Sequence, residues 1–195
     1  VAGRRLFSHP TTRLPFKTTY DMLPQKRVKR TKTPEQALAS LQRLCARAER
    51  SSGDAMRLMA TWQVPEADRQ GVLQRLIKDR FIDDSRYAEA FVREKSNLSA
   101  WGEYKIRTAL RRKGIADEII NNTLLQMPAE QNLERLTERL KRKIRTIKYD
   151  TTYQLKTKLI RHALSLGFTM DDVLKCVEEV MRDINTEEEC DDFLF

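Results

Sequence analysis

The chain has 195 residues, 33% of them charged and 40% hydrophobic, and a formal net charge of +9. That length is enough for one or two ordinary cores, and only six glycines and six prolines argue against a turn-rich sheet protein and for an all-helical one. No run of about 18 apolar residues is present to span a membrane and no apolar signal core opens the chain. Cys45, Cys176 and Cys190 lack CxxC spacing, which suits reduced thiols, with Cys45 and Cys176 read as core residues. The expected location is the cytoplasm.

Residues 1–33 carry nine Lys or Arg against one acid, Asp21, with prolines at 10, 15 and 24. This reads as a flexible basic arm, either solubilising or contacting phosphates. Helical order begins at "TPEQ", where Thr33 is an N-cap, Pro34 the first helical residue and Gln36 the partner of a capping box. Leu38, Leu41, Leu44, Cys45 and Ala48 then follow at spacings of three and four. After the break at "SSGD", further helices are expected at 53–62, 66–79, 84–96, 102–113, 117–126, 129–147, 152–166 and 170–184. The segment 185–195, "NTEEECDDFLF", is an acidic tail.

Three short turns, "TWQVPEAD", "RKGIADEI" and "SLGFTMDD", reveal a repeat. With Val64, Ile115 and Phe168 taken as equivalent, five residues before each stands Met59, Leu110 or Ala163. Nine before stands Ala55, Ile106 or Leu159, and nine after stands Leu73, Leu124 or Val177. Such offsets keep apolar residues on matching helix faces. The expected architecture is therefore three tandem three-helix repeats, 34–82, 83–127 and 128–184, stacked into an elongated, curved array. In the second repeat, Tyr87, Ala90, Phe91 and Leu98 are expected to face inward, as are Ile106, Ala109 and Leu110, with Gly114 ending its helix in the left-handed conformation. The aromatics read as packing rather than as a platform for stacked bases.

"DDSRYAEAFVREK" followed by "WGEYKIRTALRRKGI" resembles the RecX regulatory proteins of bacteria. The residues that carry the resemblance are Asp83, Asp84, Arg86, Tyr87, Ala88, Phe91, Val92, Gly102, Ile106, Leu110, Lys113, Gly114 and Ile115. The preceding "LIKDRFIDD" also fits. Glu103 and Lys105 stand where the family often has Pro and Arg; Lys105 keeps the charge and gives up bidentate geometry. The resemblance implies three tandem three-helix units, binding in the groove of the RecA filament on single-stranded DNA, and suppression of strand exchange and ATP hydrolysis. It thus implies a modulator of recombination and DNA repair, acting as a monomer, with single-stranded DNA met through the filament or weakly alone.

The bases assigned to the partner- and DNA-binding surface are Arg86, Arg93, Lys105, Arg107, Arg111, Arg112, Lys113, Arg139, Arg142, Lys143 and Arg145. Pairs four apart, such as 107 with 111 and 139 with 143, share helix faces, where like charges repel by a few tenths of a kcal/mol until an anion relieves them. The plainer alternative is a solvated face balanced by Glu103, Glu134 and Glu138. No phosphate loop, HExxH or zinc spacing is present, and His162 reads as structural rather than as a ligand with Cys176. The acid pairs Asp83–Asp84 and Asp171–Asp172 sit at expected helix starts. No enzyme, metal or cofactor is expected. Two other readings remain: a helix-turn-helix DNA reader around "LRRKGIADEII", whose second helix offers Asp117, Glu118 and Asn121, and a helical-repeat module for another protein.

Overall fold

The computed structural model describes residues 31–191, with side chains to residue 184. Most of the basic arm, and the side chains of the acidic tail including Cys190, lie outside these. The described residues form α1 Pro34–Cys45, α2 Ser52–Thr61, α3 Glu66–Lys78, α4 Asp84–Ser99, α5 Glu103–Arg112, α6 Asp117–Leu125, α7 Ala129–Ile144, α8 Thr152–Ser165 and α9 Met170–Asp191, with no strand among them.

Local chemistry sets the helix starts. Thr33 closes the capping box with Gln36, and Ser51, Asp83 and Thr151 each accept a backbone N–H of the first turn. Thr169 does the same for Asp172. Apolar faces then pack in threes. Ala37, Leu41, Ala55, Met59, Val64, Leu73, Leu76 and Ile82 form the core of α1–α3; Ala88, Val92, Ile106, Leu110, Ile115, Ile120 and Leu124 that of α4–α6; and Leu136, Leu140, Leu155, Leu159, Ala163, Val173, Val177 and Val180 that of α7–α9. All the residues aligned by the turn offsets are buried except Phe168, which is half-buried against the third core.

The second helices of the three groups follow one another head to tail. Ser51, at the start of α2, donates its hydroxyl to the carbonyl of Lys113, the C-cap of α5, at 2.8 Å. The Gly102 N–H, at the start of α5, donates to Leu166, the C-cap of α8, at 2.8 Å. Carbonyls that a helix end leaves unsatisfied are thus filled by the neighbouring group, with the dipoles of consecutive helices aligned. At the outer end the Lys32 N–H takes the same role for Trp62, the C-cap of α2, at 3.0 Å. The approach explains two glycines. Gly114 and Gly167 have φ of 79° and 90°, and a β-carbon on Gly167 would lie 2.5 Å from Lys105 Cβ. Gln63 holds the equivalent place in α2 with φ of 57° and is exposed, where a side chain fits.

Several local expectations change. Leu98 is 78% exposed rather than inward, because α4 turns Ala88, Val92 and Ser96 to the core and leaves Tyr87 and Phe91 half-buried beside it. Helix α1 ends at Cys45 and leaves Ala48 exposed. Helix α7 ends at Ile144 instead of 147, and α9 runs on past 184 to Asp191, since "NTEEECD" holds no Gly or Pro to stop it.

Candidate interaction surface

Helix α7, "AEQNLERLTERLKRKI", buries Asn132, Leu136, Thr137 and Leu140. That burial turns Arg135, Arg139, Arg142 and Lys143 toward other faces. Arg135, Arg139 and Arg142 line a groove of about 460 Å³ with Asn97, Leu98, Ala100, Glu134 and Glu138, between the end of α4 and α7. Ala100 ends α4 in the left-handed conformation, φ 48°, and Leu98 projects there. Arg139 Nε is buried with no hydrogen-bond partner among the described residues. Among the described residues Arg142 Nε donates only to the Glu138 carbonyl of its own helix, at 3.3 Å. Arg139, Arg142 and Lys143 form no ion pair among the described residues. A buried guanidinium N–H without an acceptor favours an incoming anion.

Beside this groove Trp101 packs against both the second and the third core. Phe91 meets its edge, and the ammonium groups of Lys95 and Lys105 lie over its ring at 5.5 and 4.7 Å. Burial pushes the His162 imidazole below its ordinary pKa, and Lys143, Arg139 and Lys105 push it further the same way. Three helices therefore converge on one positive region: α5 supplies Lys105, α7 supplies Arg139 and Lys143, and α8 supplies His162.

Of the bases expected at a binding surface, Lys105, Arg139, Arg142 and Lys143 come together here. Arg93 lines an adjoining groove of about 340 Å³ with Arg135 and Gln131, and Arg145 is the exposed C-cap of α7. Arg86, Arg107, Arg111 and Lys113 are used internally. Arg86 pairs with Glu49 at 2.8 Å, Arg111 with Asp117 at 2.6 Å, and Lys113 with Asp54 at 3.0 Å. Arg107 binds Glu103 at 2.7 Å and also Asn121. Arg112 is exposed while its carbonyl accepts from Arg57. The ion pairs of Arg111 with Asp117 and of Arg107 also occupy the acid and amide that α6 would offer to bases in a helix-turn-helix reading. Arg135 and Lys95 were missed, although Arg135 stands four before Arg139 and Lys95 four after Phe91. Among the described residues no cluster of His, Cys, Asp and Glu is placed to hold a metal ion, and no helix is long and apolar enough to cross a membrane.

Residues 83–124 match the family model described as RecX, second three-helix domain. The chain is 32% identical over 118 residues to the regulatory protein RecX of Bacillus cytotoxicus, an alignment covering 60% of this chain and 44% of that protein. It is 30% identical over 127 residues to the regulatory protein RecX of Bacillus mycoides, covering 65% and 47%. The chain thus spans less than half the length of these relatives. In fold it is similar to the crystal structure of RecX from Lactobacillus salivarius, with TM-score 0.66 at 20% identity over 75% of this chain and 96% of that one. A second crystal structure, of a regulatory protein RecX, gives TM-score 0.59 at 24% identity over 77% and 73%. The central α4–α6 unit is thus similar to the second three-helix domain of RecX proteins, and the sequence relatives that extend this likeness beyond it carry the same name.

Proposed function

We propose that this chain binds the RecA filament on single-stranded DNA and lowers strand exchange and ATP hydrolysis, modulating recombination and repair without catalysis of its own. In this reading it acts as a cytoplasmic monomer, and the convergent bases of α5, α7 and α8 face the filament. The observation that carries the assignment of this surface is Arg139, whose buried Nε has no acceptor among the described residues, in a groove it shares with Arg135 and Arg142. Three arginines against the groove's two acids, Glu134 and Glu138, favour a polyanion or an acidic protein face. Helix-turn-helix readout is less favoured, because Asp117 and Asn121 of α6 are already tied to Arg111 and Arg107.

The test is inhibition of RecA-driven strand exchange by titrated protein. R142E/K143E is expected to weaken inhibition roughly tenfold, since two phosphate or carboxylate contacts become repulsive, while the melting temperature stays within the small range of surface substitutions. Wild-type binding that falls steeply with salt, with a shallower slope for the variant, assigns the contacts to DNA phosphates. A gentler dependence assigns them to the recombinase. Full inhibition by the variant at unchanged melting temperature would remove α7 from the working surface.

A further inference from the structure

A second cavity, of about 460 Å³, opens where the first turns of α5, α7 and α9 meet. Met127, Leu133 and Phe168 give it apolar walls, and Tyr104, 73% exposed, stands at its mouth. Asn132 is 4% exposed and lines the same cavity, and its Oδ1 has no hydrogen-bond partner among the described residues. A buried amide oxygen left in that state carries its full desolvation cost, which a donor entering the cavity removes. The base in the lining is already engaged, since Arg107 gives its guanidinium to Glu103, at 2.7 Å, and to Asn121. Thr169 donates its hydroxyl to Asp172 Oδ2 at 2.8 Å. Asp172 itself enters no ion pair among the described residues. Glu103, Glu130 and Asp172 sit in the first turns of the three helices and offset their positive ends. The unpaired atoms that await a guest, Asn132 Oδ1 and the Asp172 carboxylate, are therefore acceptors.

We propose that this cavity seats an arginine side chain presented by a protein partner, with the guanidinium donating to Asn132 Oδ1 and Asp172 and stacking on Tyr104. A guanidinium is planar, positively charged and a donor only, which matches an acceptor pair beside an exposed aromatic ring. A lysine brings the charge without the flat face. A nucleobase brings ring acceptors that this pair leaves unmatched, and its phosphate meets the charges of Glu103 and Asp172. The inference stands apart from the reading of the basic groove, because Arg139, Arg142 and Lys143 do not line this cavity.

The experiment titrates the peptide acetyl-Gly-Arg-Gly-amide into the full chain and follows the NMR resonances of the Asn132 side-chain amide and of the Leu133 and Phe168 backbone. Saturable shifts are expected, and the same peptide with citrulline, which keeps the shape without the charge, is expected to bind at least roughly fivefold more weakly. D172N is expected to weaken the arginine peptide by roughly fivefold and Y104A by roughly threefold. N132L is expected to abolish the shifts and to melt no lower than the wild type, because an apolar side chain of similar size replaces an unpaired amide. Absence of saturable shifts, equal binding of the citrulline peptide, or an N132L variant that binds like wild type would each overturn the seat. Stronger binding of deoxycytidine monophosphate than of the arginine peptide would overturn it too, assigning the cavity to a nucleobase. If N132L melts below the wild type, D172N and the exposed Y104A decide, and the seat fails when neither weakens the peptide.

Discussion

The two joints between successive helical groups use the same backbone design with different chemistry. In both, the start of one second helix docks on the C-terminal turn of the next, so closely that a β-carbon would collide: 2.2 Å from the Lys113 carbonyl oxygen at Gly53, and 2.4 Å from the Gly167 carbonyl oxygen at Gly102. The first joint is finished by polar side chains. Ser52 N–H donates to Asp84 at 2.8 Å, Asp54 holds Lys113 and Arg57, and Glu49 holds Arg86 through two hydrogen bonds. The second is finished by backbone and an aromatic wedge. Tyr104 N–H donates to Gly167 at 3.2 Å, Lys105 Nζ to Ser165 at 2.9 Å, and Trp101 seats in two cores at once. Ion pairs at a partly exposed seam contribute little each and weaken with salt and acid. A shared aromatic couples its cores through buried apolar area, which neither salt nor acid removes. The second joint should hold as a unit under conditions that loosen the first, and the proposed binding surface lies across this second joint.

W101A gives the largest expected separation between the joints. Trp101 is half-buried, so the cost should fall somewhat below that of a fully buried aromatic, at about 2 to 3 kcal/mol. Urea unfolding should broaden as the second and third groups lose their coupling, while exchange protection in α1–α3 is unchanged. A uniform loss of protection along the chain would mean the joints are not distinct.

A matched pair of glycine substitutions comes next. G102A should cost about 2 kcal/mol, because relief of the collision strains the wedge and both adjoining cores. G53A meets an equally close carbonyl but can be relieved by opening a polar seam, at about 1 kcal/mol. Thermal melts of the two variants rank the joints, and equal losses would erase the comparison.

The smallest effect is that of pH. Burial raises the Asp54 carboxyl, but hydrogen bonds from Arg57 and Lys113 outweigh it and hold the group below the ordinary carboxylate range. A folded value below the unfolded one contributes stability that is complete above about pH 4 and is lost as pH falls through the lowered value. Its partners are exposed, so the effect falls below about 1 kcal/mol, in the range of surface ion pairs. Hydrogen exchange around Ser52 and Asp54 should speed up in acid in the wild type, whereas D54N should already be fast at neutral pH and change little. Trp101 emission should be the same in both proteins at each pH.

Much of the interior was legible in the order of residues. The offsets around Val64, Ile115 and Phe168 mark side chains that pack inside each group, and the caps at Thr33 and Asp83 are read correctly from residue type alone. The surface was less legible. Arg86, Arg107, Arg111 and Lys113 look like Arg139 and Lys143 in sequence, yet the first four meet acids or an amide contributed by other helices or by residues outside their apparent charge cluster. Leu98 follows the apolar spacing of α4 but falls beyond the reach of its partners, where the helix turns out through Ala100.

The sequence alone determined the helices, their apolar faces and their repeat, because a helix bonds each residue to one four places away and its period is written in neighbouring residues. Tertiary structure alone decided the joints and the division of the bases into paired and unpaired. "SSGD" reads as a break between helices, and becomes a docking surface only when the α5 turn some 60 residues later arrives at Ser51. Contacts made at such separations have no period to announce them, and a charge is committed or available according to which side chain the fold brings within hydrogen-bond reach.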